Sequence, residues 1–339
     1  MDAGPRGRIS KDARWPPRAK RSSLRPMALR FTLRQLEYLV VVGDLGSIAQ
    51  AADRLNVSSP TISTAIAQVE AAFGLTLFVR RHAQGLSLTQ AGRQVAAQAR
   101  SILAEAGRLV DLAAQIAGMV RGPLHAGCLL TFAQIVLPGL RRSFCDRYPE
   151  VSFHQSECHQ SDLFQGLRDG TLDLALTYDL DIPSDLRFES LAVLPPCAVL
   201  SPDHPLAGLA SVTATDLAPH PMVLLDLPVS VNYFRSFFAA EGVQPRIAER
   251  TSDLTVMHGL VANGFGYSIA NIRPASDRAA DGRPLVYVPL QGKVPPLRMG
   301  LVLPGGAGLS LTVQAFVDHA RVTVLSGVTP GLRSPAAGI

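Results

Sequence analysis

The sequence predicts a multidomain protein in which a mainly α-helical N-terminal domain precedes a longer α/β domain. Two short helices with a tight turn between them, then a β-hairpin, are predicted before residue 89, and a long amphipathic helix follows. Strand and helix signals alternate after residue 121. A chain of 339 residues is longer than one hydrophobic core usually supports. Its 47% of hydrophobic residues are enough to form two or more cores.

The basic charge of the chain belongs to its N-terminal tail. Eight of the 32 Lys and Arg residues lie in residues 1–25, and the remainder of the chain carries 24 basic and 25 acidic residues. We expect residues 1–26 to be disordered, either as a basic arm that follows phosphates or as a segment upstream of a start at Met27. The tail lacks the apolar run of a secretory signal or membrane span, so we expect a cytoplasmic protein with no membrane partner.

Two helices joined by a turn are predicted next. Ser47 followed by Gln50 is typical of a capping box, which places a helix from Ile48 to about Leu55. Ser58 can cap a second helix, and Pro60 fits the first turn of that helix because its missing N–H costs nothing there.

The second helix has two distinct faces. Apolar residues recur at helical spacing on one face: Ile62, Ile66, Val69 and Phe73. The other face carries small hydroxyls and an amide: Ser59, Thr61, Ser63, Thr64 and Gln68. Such a pattern is typical of a helix packed in a core, but the polar face also suits a helix that enters a major groove and bonds to base edges or phosphates.

A hairpin predicted after this helix favours the second interpretation. Two short β-rich runs, Leu75–Arg80 and Leu86–Leu88, flank a turn that begins with Arg81 and His82. Cations at the tip of a hairpin can bind phosphate.

From Leu33 to Gly92 the sequence resembles the winged helix-turn-helix of the LysR-type transcriptional regulators. The residues that carry the resemblance are Phe31, Leu33, Gln35, Leu36, Tyr38, Gly46, Ser47, Ile48, Ala51, Ala52, Leu55, Ser58, Pro60, Ser63, Ile66, Gly74, Leu77, Phe78, Arg80, Leu88, Thr89, Ala91 and Gly92. Ser59 stands where the family most often has Gln, and Thr64 where it most often has Arg or Lys. The resemblance implies a transcription regulator that binds double-stranded operator DNA. The candidate DNA-binding residues are Ser47, Ser58, Ser59, Pro60, Thr61, Ser63, Thr64, Gln68, Arg80, Arg81 and His82.

A long helix is predicted from Gln90 to Ala117, with Thr89 as its cap and a length on the order of 40 Å. Its apolar residues alternate spacings of four and three, which is a heptad seam: Val95, Ala99, Ile102, Ala106, Leu109, Ala113 and Ile116. The helix either packs on its own domain or pairs with a second copy. The resemblance implies that it dimerises the protein, with tetramers as a further expectation.

Two successive β-α units follow and predict mostly parallel sheets. The first has strands and helices at Leu124–Leu130, Phe132–Tyr148, Val151–Ser156, Asp162–Asp169 and Leu172–Thr177. The second has them at Ala198–Leu200, Met222–Leu225, Ser230–Glu241, Arg246–Arg250 and Leu254–Ala262, before a strand and a helix at Arg298–Leu303 and Leu309–Val324.

The resemblance implies that these units form the two lobes of a type 2 periplasmic-binding-protein-like fold, with crossovers near residues 192–200 and 294–302. The expected domains are a winged helix-turn-helix at 27–88, a linker helix at 89–120, and an effector domain at 121–329 before a disordered tail at 330–339. Lobe I is expected at about 121–195 and 299–329, and lobe II at about 196–298.

A small-molecule effector is expected in the cleft between the lobes. Ligands of doubly wound sheets bind at the carboxyl ends of strands, where helix N-termini offer free N–H groups to anions. The candidate effector-binding residues are Thr131, Ser230, Ser252, Asn271 and Arg273. Arg273 can hold a carboxylate with its two N–H groups, which suggests a small organic anion or an amino-acid-like metabolite. Hydroxyls also cap helices, and an Arg before Pro is often simply solvated, so structural roles remain open.

Other chemistry is sparse in the sequence. Cys128, Cys145, Cys158 and Cys197 form no CxxC pair, so reduced thiols are expected, with a redox switch as the less favoured alternative. No metal site, cofactor or catalytic residue is predicted. A solute-binding protein or an α/β enzyme built on the C-terminal domain would need an export signal or a catalytic constellation.

Overall fold

The computed structural model describes residues 29–81, 85–116, 118–306, 308–325 and 332. The chain divides into two compact units, the first ending at Arg93 and the second beginning at Gln94. Several predictions therefore fall outside the described part: the tail at 1–26, the tail at 330–339 apart from Leu332, His82, and the side chains of Arg81, Ala113 and Ile116.

The first unit contains three helices and a hairpin. They are α1 (Leu33–Leu45), α2 (Ile48–Leu55), α3 (Ser59–Phe73), β1 (Phe78–Arg81) and β2 (Gly85–Leu88). The two strands pair antiparallel, so the predicted helix-turn-helix and wing are both present. Their shared core is made of apolar side chains from all three helices: Leu36, Leu39, Val42, Ala51, Ile62 and Val69.

Local caps explain where these helices begin. Ser58 begins α3 as predicted, because its hydroxyl accepts from the N–H of Thr61 at 3.4 Å. Ser47 accepts from the N–H of Gln50 at 3.3 Å, but within the described residues the Gln50 side chain returns no hydrogen bond, so only half of the predicted capping box forms. The complete box lies one helix earlier, between Thr32 and Gln35.

The long helix, α4, spans Gln90–Ile116. As predicted, the Thr89 hydroxyl caps it by accepting from the N–H of Gly92 at 2.8 Å. Along the predicted seam, Ala99 is buried, whereas the Leu109 side chain is 69% exposed.

After α4, the second unit consists of two lobes that the chain enters in turn. Lobe I begins with β3 (Gly122–Leu129), α5 (Leu130–Ile135), α6 (Leu137–Arg147), β4 (Val151–Cys158), α7 (Gln160–Arg168), β5 (Leu174–Tyr178) and β6 (Leu186–Leu194). Lobe II contains β7 (Cys197–Leu200), α8 (Ala214–Leu217), β8 (Pro221–Leu225), α9 (Ser230–Ala240), β9 (Arg246–Thr251), α10 (Leu254–Ala262), β10 (Ser268–Ala270) and β11 (Val286–Pro289). The chain returns to lobe I with β12 (Leu297–Pro304) and α11 (Leu311–Leu325).

Each lobe is built on a mostly parallel sheet, as predicted. In lobe I the strand order is β4-β3-β5-β12-β6, and only β12 runs against its neighbours. In lobe II the order β10-β7-β11 is joined to β8-β9 by a parallel bridge between Met222 and Tyr267. There β7 is the antiparallel strand. In each lobe, therefore, the antiparallel strand is the first strand after a crossover from the other lobe.

The prediction of one helix over Phe132–Tyr148 is wrong. The structure has two helices there, α5 and α6, with a break at Val136. Pro138 lies in the first turn of α6, where it has no N–H to continue the hydrogen-bond ladder of the preceding helix. The break turns the chain so that Phe132 and Leu140 are both buried in lobe I.

No helix in the described ranges is both long enough and apolar enough to cross a bilayer.

Candidate nucleic-acid interface and interlobe site

The core contacts of α3 decide which of its faces is free. Ile62, Ile66 and Val69 are buried, as predicted from their spacing. Phe73 is only half-buried, and its ring packs edge-on against Phe31 with 5.2 Å between centroids. The face that carries hydroxyls and the amide therefore points away from the core.

Most of the candidate side chains on α3 are exposed, but their hydrogen-bonding capacity differs. Ser58 and Thr61 share a hydrogen bond of 2.8 Å between their hydroxyls. Ser63 donates to the carbonyl of Ser59 at 3.0 Å, which leaves its oxygen free to accept from a base or a water. Thr64 is exposed, and its hydroxyl makes no hydrogen bond to any described residue. Ser47 and Ser59 are half-buried, and Pro60 is exposed.

The structure adds one cation that sequence reasoning missed. Arg34, on the first turn of α1, lines an open groove of about 480 Å³ together with Pro60, Thr64 and Gln68 of α3. Its guanidinium donates to the Tyr38 hydroxyl at 3.2 Å and pairs with the Glu37 carboxylate at 2.8 Å. These hydrogen bonds raise the pKa of Arg34. Arg34 precedes the helix pair by more than ten residues, so only the packing of α1 on α3 brings it to this face.

The wing is held to the helices by main-chain bonds. The N–H of Leu86 donates to the carbonyl of Gly46, between α1 and α2, at 2.8 Å. Gly85 has a positive φ of 76°, and a Cβ there would press on that same carbonyl. On β1, Arg80 is exposed and has no ion-pair partner among the described residues, so its charge is available to a phosphate.

Two residues predicted to bind the effector are buried, and their hydroxyls have no hydrogen-bond partner among the described residues. Thr131 is 5% exposed and lies in the first turn of α5, immediately after β3. Ser230 is also 5% exposed; it is the first residue of α9, whose N-cap is Val229, so Ser230 does not cap that helix. Neither hydroxyl bonds to a described residue. Ser252 is exposed between β9 and α10.

Asn271, just after β10 in lobe II, contacts the first crossover between the lobes. Its side-chain amide donates to the carbonyl of Leu194 and to the hydroxyl of Tyr233, both at 2.9 Å. Its carbonyl oxygen, Oδ1, is buried and lacks a hydrogen-bond partner among the described atoms. An unmet acceptor of this kind costs on the order of 1–3 kcal/mol, so it is a candidate contact for a donor.

Arg273 does not extend freely into the cleft. Its guanidinium lies over the ring of Tyr287, 5.3 Å from the centroid, and its Nε is 3.4 Å from Oδ1 of Asp277. The hydroxyl of Tyr287 is in turn 3.2 Å from Nε2 of His258. Burial lowers the pKa of His258 to about 4, so this imidazole is neutral at pH 7.

The base of the interlobe region is apolar enough to keep its titratable groups neutral. Burial raises the pKa of Tyr178, at the end of β5, with smaller contributions from Tyr233 and Cys197. Burial also raises the pKa of Cys197 to about 12 and that of Tyr233 to about 12. These groups are therefore suited to hydrogen bonding and not to ionisation.

Comparison with protein families gives two matches that together span most of the chain. The model described as "Bacterial regulatory helix-turn-helix protein, lysR family" matches residues 33–93. The model described as "LysR substrate binding domain" matches residues 117–323, which is more than half of the chain. The first match contains the helix pair and wing, and the second contains both lobes.

Individual relatives agree with these matches. The transcriptional activator protein LysR of Escherichia coli is 30% identical over 298 residues, covering 88% of this chain and 94% of the relative. The crystal structure of HinK, a LysR family transcriptional regulator from Pseudomonas aeruginosa, has 34% identity and a TM-score of 0.58, and covers 87% of this chain and 99% of HinK. A full-length CbnR crystallised with its target DNA has 25% identity and a TM-score of 0.52, with 87% and 100% coverage.

These matches decide between the functions that the sequence left open. They give no support to a solute-binding protein or an enzyme. The chain matches these relatives over nearly their full length. It has their winged helix-turn-helix followed by their two-lobed substrate-binding domain. The chain belongs to the LysR family of transcriptional regulators, and its two parts are a DNA-binding domain and an effector-binding domain.

Proposed function

We propose that this regulator reads double-stranded operator DNA with the exposed face of α3 and anchors itself on phosphates with the wing. The observation that carries the proposal is the exposed set of small hydroxyls on α3, together with the exposed Arg80 on β1 of the same unit, which has no ion-pair partner among the described residues. The structure with DNA obtained for CbnR supports it by similarity. Ser63 and Thr64 contact bases or phosphates, and Arg34 and Arg80 contact phosphates.

A small-molecule effector binds between the lobes and controls this activity. The buried residues Thr131 and Ser230, whose hydroxyls have no partner among the described residues, support that part of the proposal, as does the unmet acceptor on Asn271. Among the described residues Arg273 meets Asp277 through its Nε alone, so its two Nη groups can hold an anionic ligand. Small organic anions and amino-acid-like metabolites are the ligands to screen first.

The protein acts as a homodimer, and dimers associate further into tetramers. The seam of α4 supports dimerisation, since Leu109 lies on it and is 69% exposed in the single chain. Two paired helices would cover this side chain. The effector changes the lobe angle, and through the dimer the spacing of the two DNA-reading helices. It can do so only by binding one lobe arrangement more tightly than the other. Such a regulator acts in the cytoplasm, where its DNA is.

A salt-titrated DNA-binding assay tests the central proposal. The protein, begun at Met27, is titrated against the DNA upstream of its own gene and of the neighbouring gene. Selective binding that falls steeply with salt is expected, and both Ser63→Ala and Arg80→Ala should weaken it. Arg80→Ala should also lower the salt slope by about 0.9, whereas Ser63→Ala should leave the slope unchanged because it removes no charge.

Arg187→Ala is the matched control for the arginine variant. Arg187 is exposed on β6 of lobe I, far along the chain from the helix-turn-helix unit. Its removal should leave both affinity and salt slope at wild-type values. Two results would show that α3 and the wing are not the DNA-reading surface. One is equally tight binding to unrelated DNA, and the other is an unchanged affinity in all three variants.

A further inference from the structure

The two crossovers between the lobes carry the same unusual sequence element. Leu194 is followed by Pro195 and Pro196, and Val294 is followed by Pro295 and Pro296. Proline restricts φ and has no N–H, so each crossover is stiff and lacks donors for main-chain pairing. The N–H of Leu290, just after β11, donates to the carbonyl of Pro196 in the first crossover at 3.1 Å.

Side chains of lobe II supply the missing donors. The amide of Asn271, just after β10, donates to the carbonyl of Leu194 in one crossover at 2.9 Å. The hydroxyl of Tyr233, on α9, donates to the carbonyl of Pro295 in the other crossover at 3.1 Å. Asn271 also donates to the Tyr233 oxygen at 2.9 Å, which joins the two contacts into one chain.

The directions of these hydrogen bonds follow from chemistry. A main-chain carbonyl can only accept, so the Asn271 group that faces Leu194 must be the NH₂ and not the oxygen. Tyr233 gives its one proton to Pro295 and must therefore accept from Asn271. Oδ1 of Asn271 is left pointing away, buried and without a partner among the described atoms.

On the lobe I side of the crossovers the structure is less regular. Strands β6 and β12 begin their pairing at Leu194 and Leu297, but the register shifts between Met299 and Gly300, where Leu191 is left over. A bulge interrupts the ladder and bends the strand locally. Gly300 has no side chain at this point, and a Cβ there would overlap the Phe188 ring and the Glu189 carbonyl.

We propose that Tyr233 and Asn271 form a latch that makes both proline crossovers part of the rigid body of lobe II. Rotation of the lobes then pivots at the bulge, between Leu191 and Leu194 on β6 and between Leu297 and Gly300 on β12. The stiff segments transmit the rotation without bending. The inference rests on the fold of the second unit alone, so it holds whatever the effector proves to be.

Hydrogen exchange of the full-length protein, without added ligand, tests the latch. Tyr233→Phe removes one hydroxyl and both bonds that it makes. We expect the amides of Cys197, directly after Pro196, and of Leu290, which donates to the Pro196 carbonyl, to exchange roughly threefold faster or more, while those of β8 stay unchanged. Tyr267→Phe is the matched control: it removes another buried lobe II hydroxyl, which has no partner among the described atoms, and should leave every crossover amide as in wild type.

A double variant separates a single latch from two independent contacts. If Asn271 and Tyr233 act as one unit, Tyr233→Phe combined with Asn271→Ala should speed crossover exchange no more than the stronger single change. Thermal denaturation of each variant confirms that it is folded. Unchanged exchange in Tyr233→Phe, an equal rise in Tyr267→Phe, or additive effects in the double variant would each overturn the proposal. So would bulge amides that exchange as slowly as the rest of β6.

Discussion

The side-chain amide of Gln35 on α1 donates a 2.6 Å hydrogen bond to the side-chain carbonyl of Gln68 on α3. The orientation of Gln35 is fixed because its own carbonyl accepts from the N–H of Thr32 at 2.8 Å, and that group can only donate. Gln68 therefore has its NH₂, and not its oxygen, free on the exposed face of α3. It is suited to an acceptor such as adenine N7 or a phosphate oxygen.

Gln35→Ala should weaken specific DNA binding by roughly two- to fivefold, because Gln68 then loses the bond that orients it. The salt slope should stay unchanged, since no charge is removed. Fluorescence anisotropy at several salt concentrations measures both quantities. Gln50→Ala, on α2, changes an exposed amide whose side chain makes no bond to the described residues. An equal loss in both variants would mean that the Gln35–Gln68 contact is not what matters.

Arg34→Ala tests the cation found in the groove between α1 and α3. We expect affinity for all DNA sequences to fall and the salt slope to decrease by about 0.9, as for the loss of one phosphate contact. Arg250→Ala offers the same change on an exposed, ion-paired arginine of β9 and should have no effect. If Arg34→Ala keeps the wild-type slope, Arg34 serves only to hold Glu37 and Tyr38 in place.

Leu109→Asp tests dimerisation through α4. A carboxylate on the seam would be buried between two helices, so the dimer dissociation constant should rise at least about tenfold. Sedimentation equilibrium measures it directly. Ala97→Asp puts the same carboxylate on an exposed position on the opposite face of α4 from the seam, and the dimer should survive there. A dimer that tolerates both changes would place its interface elsewhere.

Thr131→Val keeps the shape of the side chain and removes its hydroxyl. Amino acids and small organic acids are screened by thermal shift on the wild-type protein, and the affinity of each hit is then measured on the variant. A loss of roughly tenfold or more is expected, since a polar ligand group would be left unpaired. Thr171→Val, at the amino end of β5 and so at the opposite edge of the sheet, should bind the hit normally. Equal affinity in the wild type and both variants would mean that the Thr131 hydroxyl does not contact the ligand.

His258 makes the second unit sensitive to acid. Its pKa is lowered to about 4 by burial, against about 6.5 in an unfolded chain, so the unfolded chain takes up the proton first as pH falls. The free energy of unfolding should therefore decrease from about pH 6.5 down to about pH 4, by about 2 kcal/mol at pH 5. Burial also lowers the pKa values of His204 and His319, which act in the same direction.

Urea denaturation at pH 7 and pH 5 measures this dependence. His258→Gln can still form a hydrogen bond with Tyr287 but does not titrate, so its loss of stability between the two pH values should be smaller than that of wild type. An identical loss in the variant would assign the acid sensitivity to other groups.

Sequence reasoning worked where the signal is local. The caps at Ser58 and Thr89, the apolar spacing on α3 and the alternation of strands and helices act over a few residues, and the structure confirms each of them. The prediction of one helix over Phe132–Tyr148 was wrong because it also relied on a local pattern. Its apolar pattern continued across a break that the proline at 138 imposes and that the packing of Phe132 in lobe I makes favourable.

The sequence by itself identified the family and the order of its domains through the resemblance of residues 33–92. It also determined which face of α3 is free, because periodicity and capping are properties of neighbouring residues. Only the tertiary structure decided which distant groups meet. Gln35 reaches Gln68, β12 enters the sheet between β5 and β6, and Asn271 bonds to a carbonyl at Leu194, 77 residues earlier. Such contacts carry no local signal, since they form only when the burial of whole sheets and helices fixes the path of the chain.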